Sequence, residues 1–146
     1  MHANETPDNK FIVLHRYWIW ANRMREHFYA ALDRDKRPRD GSDLSWFADD
    51  IGMFMSYWYA GLYVIIEGWK ELVLHDPKID PLLDSPHVEE LRRYRNGVCH
   101  FQKKYLDDRF MEICHQSPSS VPWVRKLTRT FGEYFLRTLR SNRGKA

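Results

Sequence analysis

Cysteine is scarce: Cys99 and Cys114 are the only two in 146 residues. A disulfide framework of the kind that staples small secreted domains is therefore excluded. On one continuous helix their spacing would hold them more than about 20 Å apart, too far to bridge, so two reduced thiols in a cytoplasmic protein are expected. Residues 1–8 are polar and lack the apolar core of a signal peptide, and they read as a disordered leader. No apolar run is long enough to span a membrane. The uncharged stretch from Ile51 to Ile66 is short and contains Ser56, two glycines and three tyrosines, which fits a buried helix instead.

Several reactive signatures are also missing. There is no Gly-rich phosphate loop and no Gly-x-Ser-x-Gly elbow, so neither nucleotide hydrolysis nor esterase chemistry has motif support. Glu112-x-x-His115 has the spacing of a di-iron bundle ligand pair, but no second copy exists. No metal and no cofactor are expected.

What is present is aromatic and helical. Trp, Tyr and Phe make up 15% of the chain, enough to exclude disorder for most of it, and the length suits one domain. Apolar residues recur at steps of three and four in four long segments. The first helix, from about Asn9 to Arg34, carries Phe11, Leu14, Trp18, Ala21, Met24, Phe28 and Ala31, with Asp8 as its cap. The second, from about Leu44 to His75 with Ser42 or Asp43 as cap, carries Ile51, Met55, Trp58, Leu62, Ile65, Trp69 and Leu72. Its other face holds Tyr59, Tyr63, Glu67 and Lys70, a pattern that predicts burial against a partner chain. A short extra turn is expected around Leu82 and Leu83. The third helix starts at Ser85-Pro86 and runs unbroken through Ile113. The fourth carries Val124, Leu127, Phe131, Phe135 and Leu139.

This is an all-α chain, expected as a four-helix up-and-down bundle over residues 9–141 with a basic tail over 142–146. The overall charge is only +3, but from Val121 onward Arg125, Lys126, Arg129, Arg137, Arg140, Arg143 and Lys145 face Glu133 alone. That end suits a phosphate backbone.

The third helix concentrates the chemistry. Leu91, Tyr94, Val98, Phe101 and Tyr105 form its apolar stripe, while Arg93, Asn96, His100, Lys103 and Lys104 form a basic stripe beside it. Arg95 lies about 140° around the axis from His100, so the two converge only if Arg95 wraps or a second helix supplies one of them. A symmetric dimer would do so, and Gly97 fits a close approach of backbones at such a seam. Glu67 needs a basic partner, either Lys70 or Arg95.

Arg95-Asn96-Gly97-Val98-Cys99-His100 resembles the Arg-x4-6-His motif of the HEPN superfamily, small all-α proteins of which many are metal-independent RNases. The resemblance implies a bundle that dimerises so that two motifs form one composite cleft, where RNA is cut by attack of its own 2′-hydroxyl. It implies a toxin or anti-phage setting, with an antitoxin or regulatory protein as a further partner. HEPN toxins modified by nucleotidyltransferase antitoxins carry a tyrosine two residues after the histidine. Here that position is Gln102, so this modification is not expected.

The residue chemistry suits the reading. Histidine at position 100 can move protons near neutral pH, and Arg95 can hold a phosphate through paired hydrogen bonds. Asn96 can orient the ring or hold a phosphate oxygen. Glu67, Lys103 and Lys104 are supporting candidates, and Arg93, Arg125 and Arg129 are candidate RNA contacts. The alternatives are a non-catalytic helical protein-interaction module and an RNA-binding adaptor.

Overall fold

The computed structural model describes residues 7–38, 44–115 and 117–145. Among these the chain is all-helical: α1 Pro7–Arg34, a 3-10 turn at Ser45–Phe47, α2 Asp50–Glu71, α3 Asp80–Leu83, α4 His87–Cys99, α5 Asp108–His115 and α6 Ser120–Arg143. No described helix is long and apolar enough to cross a membrane. The expected leader, apart from its last two residues, and the expected caps Ser42 and Asp43 lie outside the described residues. Asp8 falls inside α1, so it does not cap it.

The predicted apolar stripes meet in one cluster. Leu14, Ala21, Met55, Trp58, Leu62, Ile65, Trp69, Val124, Leu127, Phe131 and Phe135 are all buried within it. α1 and α2 lie close because Gly61 faces Ala21, where an added Cβ would sit 3.1 Å from the alanine methyl. α6 docks through rings. The Trp18 indole donates to the Thr128 carbonyl at 2.9 Å, Trp58 donates to the Thr128 hydroxyl at 3.2 Å, and Trp69 meets Phe131 edge-on at 5.5 Å. The partly buried Trp18 indole and the buried Trp58 indole thus each find an acceptor, whereas the buried Trp69 Nε1 has none among the described residues.

Several expectations are corrected. The third helix is not continuous. α4 ends at Cys99, His100 is extended with φ −123° and ψ 135°, and the chain folds back before α5 begins. Phe101 and Tyr105 consequently leave the core, and Phe101 is 92% exposed. The premise that the two cysteines share one helix fails with it, although both thiols are free. Burial pushes the Cys114 thiol up to about 12.

Gly97 provides a close approach, but to α5 of its own chain: an added Cβ would lie 2.9 Å from the Phe110 ring. Tyr59 is covered by Tyr94 of α4, ring centroids 5.4 Å apart, where a partner chain was expected. α6 stays helical to Arg143, two residues into the expected basic tail.

α2 is shorter than expected and stops in a tight C-terminal motif. The Leu74 amide donates to the Trp69 carbonyl and the Val73 amide to that of Lys70, each at 3.1 Å. This turn requires a left-handed residue just before Leu74, and Val73 supplies it with φ 52° while 72% exposed. A β-branched residue there is strained by roughly 1–2 kcal/mol. Val73→Gly is therefore expected to raise stability by a net of about 0.5–1 kcal/mol, after the greater freedom of glycine in the unfolded chain is subtracted. The urea midpoint would increase; a decrease would contradict the strain.

His15 packs against Phe135 at 5.2 Å and Trp18 at 6.1 Å, and burial holds its imidazole below its usual value of 6.5. The fold thus favours neutral His15, and in the window below 6.5 the unfolded chain binds more protons. Stability from this group is present above that window and is lost as the pH falls through it. Thermal melts from about pH 7 to 5 should show a shallower loss in His15→Phe than in the parent chain.

Candidate active site at the end of α4

Arg95 and Asn96 lie near the end of α4, and α2 supplies the wall that holds the arginine. The Arg95 Nη2 donates to Glu67 Oε1 at 3.1 Å, and its guanidinium carbon lies 4.9 Å from the Tyr63 ring centroid. Glu67 therefore chooses Arg95 over Lys70. The pair is partly exposed, with 26% of the arginine side chain and 44% of the glutamate side chain accessible, so its net strength is small. The Arg95 Nε is buried without an acceptor. Desolvation, and then the Glu67 charge, raise the Tyr63 hydroxyl above its usual range.

His100 is exposed at the first position past α4. Its amide donates to the Asn96 carbonyl at 3.0 Å, so the His100 backbone stands one helical turn beyond Asn96. Among the described residues the Asn96 amide side chain makes no hydrogen bond, and nothing joins Arg95 to His100 within the chain. The backbone around His100 is pinned by Gln102, whose Nε2 donates to the His100 carbonyl at 2.8 Å and whose Oε1 accepts from Arg109 of α5. Gln102 thus braces the loop on which His100 stands. Lys103 and Lys104 are exposed on the same loop, next to Phe101 and Tyr105.

The three candidate RNA contacts have different neighbours. Arg93 lies 2.8 Å from Glu112 and ties α4 to α5. Arg125 and Arg129 line a groove of about 880 Å³ between α1 and α6. There the Arg125 Nε donates to the Tyr29 hydroxyl at 2.7 Å, and the Arg25 guanidinium lies 5.9 Å from the same ring. Neither Arg25 nor Arg125 pairs with a carboxylate among the described residues, whereas Arg129 approaches Glu133 only loosely at 3.9 Å.

A second polar cluster lies outside the expected site. His87, at the start of α4, contacts Glu90 and Ser119 through its two ring nitrogens, with Ser117 beside them. The His-x-x-Glu spacing is visible in the sequence, but the serines lie about thirty residues on and carry no signal there. Among the described residues no group of three or more His, Cys, Asp or Glu side chains could hold a metal ion.

Comparison of the chain with protein families, curated proteins and solved structures gives no match.

Proposed function

We propose that the protein is a metal-independent endoribonuclease of HEPN type, with Arg95, Asn96 and His100 as catalytic residues. The observation that carries this reading is the exposure of His100 immediately past α4, one turn from Asn96, on a loop that also presents Lys103 and Lys104. In the proposed fold, α1, α2, the bent α4–α5 unit and α6 are the four members of an up-and-down bundle. Two copies bring their α4 ends together, so that one imidazole takes the 2′-hydroxyl proton and the other protonates the 5′-oxygen leaving group.

Arg95 is held ready by Glu67 and Tyr63, and a phosphate oxygen competes with the half-exposed Glu67 carboxylate for the guanidinium. Arg125 and Arg129, together with Arg25, offer positive charge for the flanking strand. The setting is a cytoplasmic toxin or anti-phage protein whose activity an antitoxin or regulator holds in check.

The test is incubation of purified protein with total RNA in EDTA. Products ending in 2′,3′-cyclic phosphate are expected, and intact RNA at high protein concentration would reject the reading. A second reading, a helical protein-interaction module, is favoured by one observation: Phe101, Tyr105 and Leu106 are all exposed on the His100 loop. It predicts no RNA products and no toxicity on expression.

A further inference from the structure

The cluster at the start of α4 has the connectivity of a Ser-His-Glu triad. The Ser119 Oγ lies 2.8 Å from His87 Nε2, and His87 Nδ1 lies 2.8 Å from Glu90 Oε2. A carboxylate accepts only, so Nδ1 carries the proton and Nε2 is left as the acceptor for the serine hydroxyl. Ser117 Oγ donates to the other Glu90 oxygen at 3.3 Å and sits 3.2 Å from Nδ1, which fixes the carboxylate. His87 and Glu90 are largely shielded, with 10% and 19% of their side chains exposed, and the Trp123 ring lies 5.5 Å from the imidazole. Ser119 itself is exposed.

The ordinary explanation for a serine at this position is helix capping, and the geometry argues against it. Ser119 is the N-cap of α6, yet its hydroxyl makes no capping hydrogen bond. A cap serine normally accepts from the second or third amide of its helix. Here the third residue is Pro122, which has no N–H, and the second amide, of Val121, has no acceptor among the described residues. The hydroxyl is turned to His87 instead. The Val121 N–H, without an acceptor among the described residues, belongs to the same first turn of α6 as the positive end of that long helix, and both would stabilise charge that develops on an oxygen there. Triads are recognised by such roles and distances, on any fold and in any chain order.

We infer that Ser119 is an activated nucleophile, with His87 as its base and Glu90 as a positioning residue, and that it hydrolyses small acyl esters with good leaving groups. Ser119 Oγ attacks the ester carbonyl carbon while its proton passes to His87 Nε2. The tetrahedral adduct collapses, the bond to the leaving oxygen breaks, and that oxygen takes the proton from His87. Water then attacks the acyl-Ser119 carbonyl and gives its proton to His87. The bond to Oγ breaks, Oγ regains the proton, and the carboxylic acid leaves. The open setting of Ser119 suits short acyl groups.

This site shares no residue with the proposed ribonuclease site, so each stands or falls alone. The test uses the full chain and a fluorophosphonate probe, with the modified peptide identified by mass spectrometry, followed by hydrolysis of p-nitrophenyl acetate. A single adduct on Ser119 is expected. Its rate of formation should fall at least 100-fold in His87→Gln and at least tenfold in Glu90→Gln. Ester turnover should vanish in Ser119→Ala, an exposed position where folding is retained. In the parent chain the labelling rate should rise with one ionisation, and the inflection should move to lower pH in Glu90→Gln, because the carboxylate no longer supports the imidazolium. Should His87→Gln fail to fold, Glu90→Gln and its pH profile decide. No adduct on Ser119, or an adduct whose rate and pH profile ignore Glu90, would overturn the inference.

Discussion

His100→Ala and Arg95→Ala are each expected to reduce RNA cleavage in EDTA by about 10²–10⁴-fold, the range supplied by positioned proton transfer or by a charge aimed at the reacting phosphate. Folding should survive both changes. His100 is exposed and lies past the last helical residue of α4, so its side chain supports no packing. Arg95 loses only a partly exposed ion pair and its contact with Tyr63, together worth on the order of 1–2 kcal/mol. Helical circular dichroism and the melting temperature therefore separate loss of chemistry from loss of structure. Cleavage that persists in both variants would end the assignment of this site. A mixture of the two inactive variants adds a second check. If the shared groove uses one imidazole as base and the other as acid, a mixed dimer with a single intact His100 should stay far below the parent activity.

The largest stability effect is expected at Trp58. Its side chain is 2% exposed and touches Phe28 at 5.6 Å, Tyr29 at 5.9 Å and Tyr59 at 5.2 Å, while its indole nitrogen reaches Thr128 of α6. It thereby joins α1, α2 and α6. Trp58→Ala should destabilise the chain by about 3–5 kcal/mol, because the emptied space is walled by rigid rings that cannot collapse into it. That is a large part of the roughly 5–15 kcal/mol available to a domain. The melting temperature should fall by on the order of 10 °C. Trp58→Phe keeps most of the volume and should lose much less. A melt of Trp58→Ala that matches the parent would mean that α6 does not seat on this indole.

The long helices were legible because their cores are periodic: every buried position of α2 named from spacing, Ile51 through Trp69, is buried in the fold. The break after α4 was not read, and the reason is physical. Phe101 and Tyr105 continue the three-four rhythm, yet the signal that outranks them is Asp107-Asp108. The Asp107 carboxylate accepts from the Arg109 amide at 3.0 Å and opens a new helix there. Gly97 pointed the same way, since it leaves room for Phe110 to fold back.

Of the site, the Glu67–Arg95 pair was readable as one of two options, because a carboxylate at the end of an apolar run must find a cation. The separation of Arg93 from Arg125 and Arg129 was not readable, since it depends on which acid each arginine meets. The Ser119–His87 contact spans 32 residues and depends on how the first turns of α4 and α6 are set beside each other, which no local pattern encodes.

The docking of α6 through indoles has a consequence for how the chain is made. Trp18 and Thr128 are separated by 110 residues, and Tyr29 and Arg125 by 96, so the first helix receives its final neighbours only when the last has left the ribosome. Until then the tryptophans of α1 and α2 stand bare in the nascent polypeptide, a greasy surface open to clumping and to chaperone capture. Chains cut short before Ser120 should share that fate and accumulate in inclusion bodies.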